Sequence, residues 1–120
     1  MKVNIKKLNP GTWFTFKEDF EVCIRVITDD KQKKFKELCT EKEILNEKKF
    51  NEMMIDYCVV NWRGLYDEET DAEIPCTTEN KMLFLVEDTE FNILMLKSIN
   101  LLVDKLKVRL EEFEKNFSGS

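Results

Sequence analysis

The stretch Phe20-Glu21-Val22-Cys23-Ile24-Arg25-Val26-Ile27 alternates apolar and polar side chains through most of its length, and that period of two constrains everything after it. Phe20, Val22, Ile24 and Val26 share one face, and Glu21, Cys23 and Arg25 share the other, as in a half-buried strand. Upstream, Thr12-Trp13-Phe14-Thr15-Phe16 is β-branched and aromatic, Lys17-Glu18-Asp19 is a polar break, and Asn9-Pro10-Gly11 is a turn signal. The two runs predict a β-hairpin. A lone hairpin is marginal in water, so its apolar face must rest on the remainder of the chain.

That remainder reads as helix. Thr28 is an N-cap followed by Asp29 and Asp30, which favour the positive end of a helix dipole. A short helix through Cys39 follows, with Phe35, Leu38 and Cys39 apolar. Thr40-Glu41-Lys42-Glu43 fits a capping box and predicts a second helix to about Trp62, with Leu45, Phe50, Met53, Met54, Tyr57 and Cys58 on its apolar face. Gly64 stands where a helix could end in the left-handed conformation. Residues 65–76 read as a loop or small hairpin with an acidic tip, left through Pro75. Thr77 or Thr78 caps a third helix, with Met82, Leu83, Leu85 and Val86 apolar, and Asp88-Thr89 starts a last one. This last helix spans about 90–116, with Met95, Ile99, Leu102, Leu106, Leu110, Phe113 and Phe117 in one stripe. The expected fold is α+β and mainly α, an N-terminal β-hairpin packed on a bundle of about four helices. Residues 1–117 form a single domain and 118–120 a mobile end.

With 42% hydrophobic and 36% charged side chains in 120 residues, there is material for one core. Nineteen Lys and Arg against 24 Asp and Glu give a net charge of −5, which argues against a general nucleic-acid binder. No apolar run reaches a membrane span, and no signal-peptide core follows Met1. Histidine is absent, which removes imidazole zinc sites and His-based catalysis. Cys23, Cys39, Cys58 and Cys76 contain no CxxC pair, so the expectation is four buried free thiols in a reducing cytoplasm, with no disulfide and no metal.

Other clusters have plain readings. Asp67-x-Glu69-x-Asp71 starts like a calcium loop, yet Ala72 stands where Gly is needed and Thr78 where a bidentate Glu is needed. It reads as a solvated acidic tip. Glu and Lys alternate at helix-surface spacing, and no Gly-rich phosphate loop or nucleophile elbow is present, so no catalytic residue is assigned. Lys31, Lys33, Lys34 and Lys36 read as the exposed side of a short helix. The last helix is more informative, because Leu94, Leu96, Leu101, Val103 and Val108 fall partly outside its stripe. Either the helix is covered on two sides by its own bundle, or one face is reserved for a second chain. Met53, Met54, Met82 and Met95 suit either case.

The central segment carries the most distinctive residues: Trp62, Gly64, Leu65, Asp67, then Ile74, Pro75, Thr77, Glu79, Asn80 and Lys81. It resembles the phage tail assembly chaperones encoded beside the tape-measure gene of long-tailed phages and prophages, over roughly residues 12–100. Family members often have Asp-Gly at the turn where Thr70-Asp71 stands here. The resemblance implies a nonenzymatic assembly factor without a cofactor. Such a factor binds the tape-measure protein in the host bacterial cytoplasm, keeps it soluble while tail tube subunits polymerise around it, and is absent from the mature virion. The tail tube protein is a second implied partner, and homo-oligomerisation stays open. Neither nucleic acid nor membrane is an expected partner. Candidate contact residues are Leu94, Leu101 and Val108 on the last helix, with Trp62 and Tyr66 on the connector. Two other readings stand beside this one. One is a virion structural component, such as a tail completion or connector subunit. The other is a small acidic phage inhibitor of a host factor, which would need its acids on one face, whereas here Lys and Glu are interspersed.

Overall fold

The alternating segment forms its strand and its hairpin. β1 (Thr12–Lys17) and β2 (Phe20–Ile24) pair antiparallel, with Phe14 opposite Val22 and Trp13 opposite Cys23. This computed structural model describes Met1 and residues 10–118, apart from the side chains at 106, 109, 110, 113, 114 and 116–118. Asn9 of the expected N-terminal turn and residues 119–120 of the expected mobile end lie outside the described residues. So do the side chains of Leu106, Leu110, Phe113 and Phe117. After the hairpin come α1 (Asp29–Leu38), β3 (Thr40–Glu41), β4 (Ile44–Leu45), α2 (Glu47–Cys58), β5 (Val59–Arg63), α3 (Thr78–Phe84) and α4 (Thr89–Ser118). The architecture is α+β and mainly α.

The largest departure from the sequence reading is β5. The second helix does not run to Trp62. It stops at Cys58, and residues 59–63 turn directly into a strand that pairs antiparallel with β2, giving the sheet order β1-β2-β5. Val59 and Val60 are β-branched and suit a pleated surface. Asn61 lies opposite Cys23 and Val59 opposite Ile24, so Val60 is an extra, bulged residue. The bulge resets the alternation, and Val59 and Trp62, three residues apart, are both buried with Val22 and Ile24.

One face of the sheet is dry and the other is wet, as antiparallel sheets allow. On the dry face, Val22, Ile24 and Val59 pack with Ile55 and Cys58 of α2, Leu85, and Phe91 of α4. Phe16 meets Phe91 edge-on at 5.3 Å between ring centres, and Phe20 meets Trp62 at 5.7 Å. On the wet face the Arg63 guanidinium lies 4.1 Å from the Trp13 ring centre and reaches both carboxylate oxygens of Glu21, at 3.1 and 3.2 Å. That fork to Glu21 raises the Arg63 pKa above its ordinary value.

The expected capping box at Thr40 is a second correction. Thr40 closes the preceding helix, donating its hydroxyl to the Lys36 carbonyl at 2.6 Å. β3 and β4 then form a two-residue hairpin, with Lys42 and Glu43 both left-handed at φ 51° and 66°. The cap of α2 is Asn46, whose side chain accepts from the Lys49 amide at 3.1 Å, and Leu45 lies in β4, outside the helix. Leu38 is exposed, whereas Phe35 and Cys39 turn inward. Thr28 caps α1, Thr77 caps α3 and Asp88 caps α4 as the sequence indicates. In and after α3, Leu83 is exposed, while Leu85 and Val86 are buried beyond the helix end.

Gly64 takes φ +83° at the end of a strand instead of a helix, and a Cβ there would overlap the Asp19 carbonyl of the hairpin turn. All four cysteines are free; Cys23, Cys39 and Cys58 are buried, and Cys76 is only half-buried, short of the expected four.

Two predictions follow from this core. Trp62→Ala removes a side chain that is 4% exposed and should destabilise the chain, by about 3–5 kcal/mol in chemical denaturation. Trp62→Phe keeps most of the packing but strands the Ile74 carbonyl that accepts from Nε1 at 2.7 Å, and should cost about 1–3 kcal/mol. Equal stability of wild type and Trp62→Phe would show that the hydrogen bond contributes nothing. The second concerns Cys58, whose thiol burial pushes up to about 12. An unfolded thiol ionises near ~8.5, so the folded state holds this proton longer. Its stabilising contribution is whole below that value and is lost as pH rises toward 12. The stability gap between wild type and Cys58→Ala should narrow through that window, and a gap independent of pH would contradict the assignment.

Candidate protein-interaction surface

The long helix α4 is anchored at its start and outruns its own core. Asp88 accepts from the Phe91 amide at 2.9 Å, and Asn92 Nδ2 donates to the Asp88 and Val86 carbonyls at 2.9 and 3.3 Å. Lys17 of the hairpin reaches Glu90 at 3.1 Å, a hydrogen bond that raises the lysine pKa. From there Phe91, Met95, Ser98 and Leu102 are buried at steps of four, three and four residues, a narrow seam onto the sheet. Continued at the same steps, the seam would reach Lys105, Arg109, Glu112 and Asn116. Lys105 and Glu112 are exposed. Charged or polar residues stand where the seam would go on, and Leu102 is its last buried residue among the described side chains.

Off the seam, the candidate residues separate. Leu94 is half-buried and packs against the core. Leu101 and Val108 are 48% and 52% exposed, and seven residues apart they lie on one flank of the helix. With Asp104 and Lys105 they line one shallow recess of about 360 Å³. Ile93, 51% exposed, extends the apolar surface toward the helix start, whereas Leu96, 63% exposed, lies roughly 140° round the helix from Leu101 on another face. Ile93 escaped the sequence reading, because one Ile beside Leu94 looks like more of the same buried flank. Trp62 is a core residue with its N–H satisfied, so it is not a contact residue in the folded chain. Tyr66, close in sequence, is 59% exposed on a separate groove of about 530 Å³ between the hairpin turn and Phe84.

The connector residues do structural work, in a strand–loop–helix unit where a helix–loop–helix was expected. Asp67 Oδ1 accepts from the Glu69 and Thr70 amides at 2.8 and 3.2 Å, and Asp71 takes a left-handed φ of 57°. That is the position where a glycine would sit without strain. Tyr66 and Glu73 bridge across the loop. Thr77 accepts from the Asn80 amide at 3.2 Å, and Asn80 Nδ2 donates to the Pro75 carbonyl at 2.9 Å. Lys81, the last residue of the central motif, is 8% exposed, with Nζ 3.0 Å from the Asp56 carbonyl and 3.3 Å from its carboxylate. Thr78 donates to the same carboxylate at 2.8 Å, locking α3 to α2.

The remaining clusters are held within the protein. Lys31 and Arg25 lie over the Tyr57 ring at 4.3 and 4.0 Å, and Lys36 lies over Phe50 at 5.9 Å, so two of the four lysines of the basic run cover aromatic rings. Burial pushes the Cys23 and Cys76 thiols up, away from the reactive thiolate. Among the described residues no three His, Cys, Asp or Glu side chains come together as a metal site, and no helix is long and apolar enough to cross a membrane. What the geometry offers is an exposed apolar flank on α4. No family model, curated protein or solved structure matches the chain.

Proposed function

We propose that this protein is a nonenzymatic phage tail assembly chaperone. It binds the tape-measure protein in the host cytoplasm, keeps it soluble while the tail tube forms, and leaves before the virion is complete. The observation that carries the reading is the apolar flank of α4: Leu101 and Val108 lie open beside the end of the core seam, in line with half-buried Leu94. A long helical client with its own apolar stripe is prone to aggregate until that stripe is covered. A small chain with net charge −5 and an apolar helix flank is suited to cover it. The resemblance of the central segment supports the same reading.

Co-expression with the cognate tape-measure protein should keep that protein soluble and yield a complex that survives moderate salt, because the contact is apolar and not a screened ion pair. Leu101→Glu with Val108→Glu should abolish solubilisation and leave the circular dichroism spectrum unchanged. A tape-measure protein that stays insoluble beside the wild-type chain would refute the chaperone reading. Solubilisation that ignores both substitutions would move the contact to the Tyr66–Phe84 groove. Presence of the chain in purified particles would favour a virion component instead.

A further inference from the structure

The protein twice brings one cation to both an aromatic ring and a carboxylate. On the wet face of the sheet, Arg63 lies 4.1 Å from the Trp13 ring centre and forks to Glu21. At the hairpin turn, Lys17 Nζ lies 5.1 Å from the Phe16 ring centre and 3.1 Å from Glu90. In each case the electron-rich ring face and the carboxylate attract the same positive group.

The groove of about 530 Å³ beside Lys17 assembles rings and carboxylates a third time, without the cation. Tyr66 of the connector and Phe84 at the end of α3 supply the rings, and Glu18 and Asp19 of the hairpin turn supply the carboxylates; all four line the groove. Tyr66 is 59% exposed and Phe84 38%, and among the described residues no cation lies over either ring. Among the same residues neither Glu18 nor Asp19 pairs with a cation. The other two charges of the lining are already engaged. Lys17 holds Glu90 and Asp88, and Asp88 caps α4 at the Phe91 amide. Two unneutralised carboxylates and two open rings therefore share one recess, whose remaining lining is largely apolar, with Phe20, Leu65 and Leu85.

The recess is fixed before any ligand arrives. Gly64 passes so close to the Asp19 carbonyl that a Cβ there would overlap it, which seats the connector on the hairpin turn. Trp62 holds the far side of the connector through the Ile74 carbonyl. A preformed site loses little binding energy to ordering. Its charge selects the occupant. An acidic group would be repelled by Glu18 and Asp19, and a purely apolar one would bury them unpaired. A cationic side chain satisfies the carboxylates and the rings together, and the net charge of −5 favours its approach.

We propose that the Tyr66–Phe84 groove is a second binding site, which takes an arginine or lysine side chain presented by a peptide segment of a partner protein, with an apolar neighbour of that side chain against Phe20 and Leu65. The inference does not depend on the chaperone reading or on what the flank of α4 contacts.

Amide chemical shifts of the full chain test it, followed while a short capped peptide with arginine between two leucines is added. Shifts should move at residues 17–20, 64–66 and 84–88 and stay in place over residues 101–108. The same peptide with glutamate for arginine should not bind, and raising salt should weaken the arginine peptide. Tyr66→Ala should weaken it about threefold or more, and Glu18→Gln with Asp19→Asn should do the same. All three side chains are exposed, so the spectra of the variants should match wild type away from the groove. If the paired carboxylate variant fails to fold, Tyr66→Ala decides alone. An arginine peptide that moves no shift up to its solubility limit overturns the proposal. A glutamate peptide that binds equally well overturns it too, because the groove then selects no cation. Binding that ignores Tyr66→Ala, or shifts confined to residues 93–108, place the peptide elsewhere and overturn it as well.

Discussion

The antiparallel pairing of β2 with β5 is the interaction on which the rest of the structure depends. It converts the hairpin, which could not stand alone, into a three-stranded sheet, and it does so with the residues that immediately follow α2. The bulge at Val60 puts both Val59 and Trp62 into the core. Trp62 then ties the sheet to the connector through the Ile74 carbonyl, and Gly64 lets the chain pass close against the Asp19 turn. The connector in turn places α3, locked to α2 through Lys81, Thr78 and Asp56, and delivers the chain to Asp88, where α4 begins. Without β5, the connector that delivers the chain to α4 would lose its tie to the sheet through Trp62.

The parts of this fold that were legible in the sequence are those with a local physical signature. Alternation at Phe20, Val22 and Ile24 gives the hairpin, and Thr28, Thr77 and Asp88 give three helix starts, because caps and period-two patterns act over a few residues. β5 was hidden for a definite reason. Ile55, Cys58, Val59 and Trp62 are spaced as a helix stripe, and all four are buried, but a strand bulge produces the second half of that spacing. Thr40 misled in a similar way, since a hydroxyl that could open one helix instead closes the one before it. The surface divided likewise. The seven-residue step from Leu101 to Val108 was readable, whereas whether Trp62 faced in or out depended on a pairing partner 40 residues earlier, Val22. The buried Lys81 could be recognised only once Asp56 was beside it.

α4 presents different surfaces along its length. Its first half holds the sheet through Phe91, Met95, Ser98 and Leu102, the last buried residue of that seam among the described side chains. One flank, at Leu101 and Val108, is exposed and is the proposed client contact. The motif residues of the connector support this arrangement indirectly. They cap, turn and brace, so the motif preserves the angle at which the helix is presented.

The central claim is that binding happens on α4 while the sheet serves as a rigid mount. Amide hydrogen exchange of the chain, free and in complex with the proposed tape-measure partner at one fixed concentration of the chain, reads this directly. The account predicts slower exchange in the complex over residues 93–108, with the amides of β2 and β5 unchanged. Slowing centred on the 65–76 connector and the Tyr66 groove, with α4 exchanging as it does in the free chain, would contradict it.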